Sequence, residues 1–376
     1  MQEAALFSPS QLYKFFLFLL LFNYCFSSIK KDYGYTVIFS TLLLILYESI
    51  IGILFLSKLT YILIGFVNIF KIFYLIIIYL SFKKMIETKR ISIDDLVGYI
   101  IINGMICVIL IFITRLLHVD MATYGVGTFG SKGLFPSGNG IGLYIGGVSL
   151  LSLITLKKNI NIKNIVVSVI LVACNLFIGT KASIVFLLID LWFALFYIIR
   201  KRRLLFVLSV LLISVLFIRY IYIFKIFFDV ILLRYENSEN IFAFLASGRD
   251  NYVINAFKDY DFQDILFLRI FTGLGAFISF RNPYGNNYFF DTLETDFFDV
   301  FFMYGIIGLF IFLFIYLNIL YNAIRNRTRG IFIFSLFVLS YSLIAGHCLF
   351  NAMSGVLIVY AAILSRYKQR NVKRYC

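Results

Sequence analysis

The residues Ser247, Gly248, Arg249 and Asp250 form a polar group inside the longest stretch that separates apolar segments of this chain. Ser247 and Asp250 have the spacing of a capping box, which predicts a helix that begins near Gly248. Its first turn would expose free backbone N–H groups, and the guanidinium of Arg249 suits two phosphate oxygens, so the pattern indicates an anion site. The alternative is an ordinary capped helix in which Arg249 is solvated or pairs with Asp250. The apolar face of this helix is predicted to consist of Tyr252, Val253, Ala256, Phe257 and Tyr260.

Carboxylates gather at the start of a later apolar segment, at Glu294, Asp296 and Asp299. Asp296 and Asp299 are three residues apart and would share one face of a helix. In the first turn of a helix such side chains complement the dipole, which is a purely structural role. The functional interpretation is a general base near the membrane surface that accepts a proton from a sugar hydroxyl.

Three further polar residues lie where apolar segments meet. Lys181 follows Gly179 and Thr180 in a very tight turn. A cation at the start of a helix opposes the helix dipole, which indicates that Lys181 binds an external anion. The alternative is that its side chain snorkels to the membrane interface. His347 lies in another turn, and its role is either that of a catalyst or that of a packing and hydrogen-bonding residue. Asn139 belongs to a glycine-rich stretch, residues 130–147, whose small residues favour close helix packing.

Apolar segments of about 20 residues, long enough to cross a bilayer as helices, must position these side chains. The chain is 62% hydrophobic and 14% charged, which predicts an all-α, polytopic transmembrane helix bundle, a single integral membrane domain over residues 1–376. The apolar runs are continuous, which disfavours a transmembrane β-barrel. About eleven spans are predicted, at residues 12–29, 34–57, 59–82, 96–117, 139–156, 164–180, 182–199, 204–224, 297–321, 331–346 and 348–364.

Basic residues cluster in every second connection, and the formal net charge is +15. This alternation predicts a multi-pass protein of the cell membrane whose basic connections and C-terminus are cytoplasmic. The positive charge also predicts a weak attraction to anionic membrane lipids rather than binding to nucleic acid. The connection formed by residues 225–296 then faces outward as a large loop. Residues 225–299 hold eleven acidic and six basic side chains, so this stretch is negative while the rest of the chain is strongly positive.

Interrupted and charged stretches within the apolar sequence carry further predictions. Residues 265–280 are too short and too interrupted for a full span, and are predicted to be interfacial or re-entrant. Glu48, Lys71 and Asp190 lie inside spans, where a charge usually has a partner or a purpose. Glu48 and Lys71 lie at similar depth and are predicted to form an ion pair, with a proton pathway as the alternative. The five cysteines are isolated, which indicates neither a disulfide framework nor a metal site.

Several motifs, taken in order, resemble the Wzy-type polysaccharide repeat-unit polymerases of bacterial surface glycan assembly, a family related to the O-antigen ligases. The chain looks closest to capsule or exopolysaccharide polymerases of Gram-positive bacteria. The matching stretches are 132-KGLFPSGN-139, 179-GTK-181, 247-SGRD-250, 273-GLG-275, 294-ETDFFDVFFMYGIIG-308 and 345-AGHCLFNAMSG-355.

The resemblance implies an integral membrane glycosyltransferase that needs no metal, cofactor or nucleotide sugar. A growing glycan on undecaprenyl pyrophosphate would pass to a hydroxyl of an incoming lipid-linked repeat unit at the outer membrane face. A chain-length regulator and a flippase of the same pathway are the expected protein partners.

The resemblance also implies roles for individual side chains. Arg249 and Lys181 would hold the pyrophosphate of the donor. Glu294 or Asp296 would activate the acceptor hydroxyl, and His347 is a further catalytic candidate. Other contacts with pyrophosphate or glycan are expected from Asn139 and Asp299.

Two other functions stay open. A ligase would share the cationic site, but ligases tend to carry a histidine and an asparagine where this chain has Glu294, Thr295 and Asp296. A flippase or transporter of lipid-linked oligosaccharides usually shows repeated halves and functional charges near the midplane, whereas the charged motifs here mostly face outward. Polymerisation is therefore the expected function.

Overall fold

The computed structural model describes residues 9–26, 31–55, 59–123, 130–199, 236, 249–260, 268–281, 292–326, 328–344 and 348–367. These residues form helices joined by short connections, with no strand among them beyond an isolated bridge between Ala122 and Ser131. Several predictions lie outside the described residues: the span 204–224, most of the loop 225–296, and the residues Ser247, Gly248 and His347.

The helices are numbered here in chain order. The first group is α1 (Pro9–Phe26), α2 (Lys31–Phe55), α3 (Leu59–Glu87), α4 (Ile93–Leu116), α5 (Gly138–Lys158), α6 (Ile162–Ile178) and α7 (Lys181–Phe193), which continues into a π-helical stretch, Ala194–Ile199. The second group is α8 (Arg249–Asp259), α9 (Leu268–Thr272), α10 (Gly275–Ile278), α11 (Asp296–Arg325), α12 (Arg329–Ile344) and α13 (Ala352–Arg366).

The lengths and composition of these helices are those of a membrane protein. Five of them, α2, α3, α4, α5 and α11, are long and apolar enough to cross a bilayer, and α1, α6, α12 and α13 are shorter apolar helices. Each predicted span that falls within the described residues coincides with a helix, because the continuous apolar runs that suit a bilayer also satisfy their backbone hydrogen bonds internally. The helical class is therefore confirmed, while the number of spans stays a prediction.

Helix α5 lies at the centre of the bundle, where it packs against α4, α6, α7, α12 and α13. Nearly all of its residues are buried. Its glycines permit these contacts, because a Cβ added at Gly146 would overlap the ring of Phe186, and one added at Gly142 would overlap the hydroxyl of Thr180. The prediction that the glycine-rich stretch serves close helix packing is confirmed.

Basic residues meet at one end of the bundle, called here the basic end. Lys158 at the end of α5 lies 3.5 Å from Asp94 in the first turn of α4, and Arg366 at the end of α13 donates to the hydroxyl of Tyr79 at 2.7 Å. The last turns of α3 and α11 add Lys84 and Arg325. The opposite end, called the polar end, is formed by the C-termini of α4, α6 and α12 and the N-termini of α5, α7, α11 and α13.

Residues 268–281 insert among the bundle helices as α9 and α10, and contact α2, α3 and α11. The hydroxyl of Tyr47 donates to the carbonyl of Gly273 at 2.6 Å, and the N–H of Ala276 donates to Glu48 at 2.9 Å. Glu48 lies about two turns, roughly 10 Å, before the end of α2. The described part of the predicted re-entrant segment is thus a pair of short helices that reach into the bundle.

Candidate functional site

The loop that precedes α5 is attached to the turn between α6 and α7. The hydroxyl of Thr123 donates to the carbonyl of Ile178 at 2.8 Å, and the N–H of Ser131 donates to the carbonyl of Phe177 at 3.2 Å. A hydrogen bond from the Ser131 side chain lowers the pKa of the Asp120 carboxyl below its ordinary value, and Arg115 adds to this effect. The described residues at both ends of this loop are therefore attached to the end of α6.

Lys181 opens α7 directly after a two-residue connection, so the predicted tight turn is confirmed. Gly179 ends α6 in the left-handed region at φ 68°, which glycine adopts without strain. The hydroxyl of Thr180 then caps α7 by accepting the N–H of Ser183 at 3.1 Å. These two residues place Lys181, which is half-buried, on the first turn of α7.

The start of α5 connects this turn to the start of α13. A Cβ added at Gly138 would lie 3.5 Å from Cγ2 of Thr180, and one added at Gly140 would lie 2.9 Å from Nδ2 of Asn351. Asn139, between the two glycines, is exposed. The structure thus brings Asn139 and Lys181 to the same end of the bundle as the residues that begin α13.

Asp296 fastens the chain before α13 to the first turn of α11. It is fully buried, and its Oδ2 accepts hydrogen bonds from the N–H groups of Cys348 and Leu349, both at 2.9 Å, and from the hydroxyl of Ser342. Asp296 therefore holds a turn and does not face the surface.

Arg249 pairs with Glu294. It is neither solvated nor paired with Asp250, which were the two alternatives for an ordinary capped helix. Its Nη2 and Nε donate to the same atom, Oε2 of Glu294, at 2.7 and 3.1 Å. The Arg249 side chain is 7% exposed and that of Glu294 is 52% exposed. Because Glu294 lies two residues before Asp296, this pair belongs to the polar end.

The segment that carries Glu294 is fixed by Asp299. Its Oδ1 accepts the N–H of Leu293 at 2.8 Å, and its own N–H donates to the carbonyl of Thr295 at 2.9 Å. Leu293 and Thr295 are both buried. Glu294 has φ 56°, a left-handed conformation that is uncommon for a residue with a side chain. The backbone of Glu294 is held on both sides while its side chain reaches the surface.

Helix α8 begins at Arg249 and presents this residue on its buried face. Most of the predicted apolar face is buried, namely Val253, Ala256 and Tyr260. The prediction for Tyr252 is wrong, since it is 56% exposed; positions i, i+4, i+7 and i+11 from Arg249 form the inner face, and Tyr252 falls outside it. Aromatic contacts attach α8 to α11, with the Phe257 and Tyr260 ring centroids 5.0 and 5.3 Å from that of Phe302.

The predicted ion pair between Glu48 and Lys71 is wrong. Glu48 is buried and accepts hydrogen bonds from the N–H of Ala276 at 2.9 Å and from the hydroxyl of Tyr304 at 3.4 Å. Lys71 instead donates to Asn68 at 3.1 Å. Depth along two neighbouring helices did not decide the pairing, because it does not specify which way each side chain points. No spacing in the sequence connects Glu48 with the α9–α10 segment, so this anchor was missed.

Asp190 forms a buried polar cluster with α5 and α6. Its Oδ2 accepts a hydrogen bond from the hydroxyl of Ser149 at 2.5 Å and one from Nδ2 of Asn175 at 3.3 Å. These hydrogen bonds satisfy one oxygen of a carboxyl that is buried within the bundle. The cluster joins three helices and lies apart from the pair of Arg249 and Glu294.

Among the described residues, no three His, Cys, Asp or Glu side chains converge on a position for a metal ion. Comparisons of the chain with models of protein families, with curated proteins and with solved structures give no match.

Proposed function

We propose that this protein polymerises lipid-linked oligosaccharide repeat units into a surface polysaccharide, by glycosyl transfer from undecaprenyl pyrophosphate at the outer face of the cell membrane. The observation that carries the proposal is the contact at 2.7 Å between the buried guanidinium of Arg249 and the exposed carboxylate of Glu294. A cation suited to the leaving pyrophosphate and a carboxylate suited to the attacking hydroxyl lie side by side. The resemblance to Wzy-type polymerases supplies the lipid-linked donor.

In this mechanism Arg249 stabilises the charge that develops on the departing pyrophosphate, and Lys181 is a second cation for the same group. Glu294 accepts the proton of the acceptor hydroxyl as that oxygen attacks the sugar carbon, with inversion. Glu294 suits this role better than Asp296, since Glu294 is exposed whereas Oδ2 of Asp296 is occupied by three donors. His347 remains a catalytic candidate on sequence grounds alone.

The remaining candidates receive distinct roles in the proposal. Asn139 is exposed at the start of α5, where it contacts glycan or pyrophosphate. Asp299 is buried and supports Glu294 through Leu293 rather than touching the substrate. Metal and cofactor are not required, because the pyrophosphate is a leaving group that cations of the chain stabilise.

The proposed topology has about eleven spans, an outer loop over residues 225–296 and a cytoplasmic C-terminus. The separation of the basic end from the polar end supports it, since positive clusters favour the cytoplasmic side. In this orientation the pair of Arg249 and Glu294 faces outward, where lipid-linked repeat units would be joined. The proposed protein partners are a chain-length regulator and a flippase of the same polysaccharide pathway.

The proposal is tested with Arg249→Ala. We expect the variant to remain inserted, polymer formation to fall by roughly 100-fold or more, as when one charge-stabilising donor is removed, and single lipid-linked repeats to accumulate on the outer face. The measurement is the size distribution of surface polysaccharide and of extracted lipid-linked glycan. Arg115→Ala is the matched control, because it removes another ion pair of the polar end, 3.2 Å from Asp120.

Normal chain lengths in Arg249→Ala would contradict the proposal. Accumulation of repeat units on the inner face would instead favour a flippase. Loss of attachment of a polymer that is still made at full length would favour a ligase, which shares the cationic site and differs in its acceptor.

A further inference from the structure

The side chain of Glu294 covers the guanidinium of Arg249 from the outside. The arginine side chain is 7% exposed, and its partner is 52% exposed. An anion that approaches Arg249 from solvent therefore meets the carboxylate of Glu294 first. The position that an anionic ligand would take is already held by a group of the protein.

The contact between the two side chains uses only half of the carboxylate. Nε and Nη2 of Arg249 both donate to Oε2 of Glu294, and Oε1 forms no hydrogen bond with the described residues. A phosphate group offers two oxygens to the two donors of a guanidinium, which is the stronger, bidentate geometry. A pyrophosphate is therefore able to compete with Glu294 for Arg249.

The backbone on both sides of this contact is hydrogen-bonded or packed against the bundle, whereas the side chain of Glu294 is exposed. Glu294 stands between the buried residues Leu293 and Thr295, both hydrogen-bonded to Asp299. Arg249 belongs to α8, which the aromatic contact of Phe257 with α11 holds in place. Rotation of the exposed Glu294 side chain is the smallest change that opens the guanidinium.

We propose that Glu294 is a built-in competitor for the pyrophosphate site, and that binding of the donor pyrophosphate to Arg249 releases Glu294 as the base. This inference rests on the proposed function. It makes Oε2 of Glu294 available to the acceptor only when a donor is bound, so with this oxygen as the base the donor binds before the acceptor reacts. Without a donor, Oε2 of Glu294 stays engaged with Arg249.

The chemical step that follows is balanced. The bond between the sugar carbon and the pyrophosphate oxygen breaks, and its electron pair leaves with undecaprenyl pyrophosphate. A bond forms between that carbon and the acceptor oxygen, and the acceptor proton passes to the released Glu294. Arg249 holds the charge of the leaving group throughout.

The test measures binding of inorganic pyrophosphate to the purified full-length protein by isothermal titration calorimetry. If the paired form makes up about nine tenths of the molecules, Glu294→Gln increases the apparent affinity about tenfold, because the competing charge is removed. Arg249→Gln strongly weakens this binding, alone or together with Glu294→Gln, and leaves only the contribution of Lys181. The matched control is Glu87→Gln, which neutralises an exposed carboxylate that pairs with Lys83 at the basic end and leaves the affinity unchanged.

An unchanged or weaker affinity in Glu294→Gln overturns the inference, as does an affinity that Arg249→Gln does not reduce. The same variants separate this result from the proposed function. Tighter pyrophosphate binding in Glu294→Gln together with normal polymer formation supports the competitor role and overturns the role of Glu294 as base. Tighter binding with loss of polymer supports both.

Discussion

At the scale of single residues, Glu294 and Asp296 stand two positions apart and have different tasks. Glu294 is exposed and meets a cation, whereas Asp296 is buried and accepts two backbone N–H groups and a hydroxyl. We predict that Asp296→Ala lowers the free energy of unfolding by about 2–6 kcal/mol, since it leaves one buried and one partly buried N–H donor without an acceptor. Asp296→Asn keeps one side-chain oxygen as an acceptor and is expected to lower the free energy of unfolding by less. Thermal unfolding of the purified protein measures both.

Asn139→Ala is the control for this prediction, because Asn139 is an exposed polar residue of the same end and its loss leaves no buried group unsatisfied. Variants of Asp296 that unfold like the wild type but form no polymer would contradict the structural role. They would make Asp296 the base in place of Glu294.

At the scale of elements, the kink of α11 determines where α9 can lie. Gly305 interrupts the helix at φ 65° and ψ −165°, a conformation that is essentially restricted to glycine. A Cβ added there would overlap the backbone of Phe271 and Thr272. We predict that Gly305→Ala destabilises the protein by at least about 1–3 kcal/mol of backbone strain and displaces α9. Thermal unfolding measures the loss.

Gly98→Ala is the matched control at this scale. Gly98 lies in α4, and a Cβ added there meets nothing within 4 Å, so alanine is expected to be neutral or slightly stabilising in a helix. Equal stability of Gly305→Ala and Gly98→Ala would show that the kink accepts a side chain and that the contact with α9 adapts.

At the scale of the whole molecule, the two ends of the bundle differ in charge and are proposed to face opposite sides of the membrane. We predict that Asn139→Cys, at the polar end, reacts with a membrane-impermeant maleimide on intact cells. Asn159→Cys, at the basic end, is expected to react only after permeabilisation. Both positions are exposed, and a variant without the five native cysteines serves as the background. The reverse pattern would place the candidate site in the cytoplasm.

The apolar runs of the sequence were sufficient to predict the helical membrane class and the approximate positions of the long helices among the described residues. Hydrophobic transfer is summed over contiguous residues, so continuous apolar runs are visible without knowledge of any contact. The sequence also predicted local features such as the turn at Gly179, because the backbone freedom of a single residue is enough to specify them.

Which side chains meet could be seen only in the folded chain. Arg249 pairs with Glu294, 45 residues away, and Glu48 accepts a hydrogen bond from Ala276, 228 residues away. The sequence predicted an ion pair between Glu48 and Lys71, which is wrong, and offered Asp250 only as one alternative partner for Arg249, in place of which the structure shows Glu294. The physical reason is that apolar helices have nearly interchangeable surfaces, so their neighbours and rotations follow from packing at glycines and from buried hydrogen bonds. Those contacts join residues that are far apart in the chain.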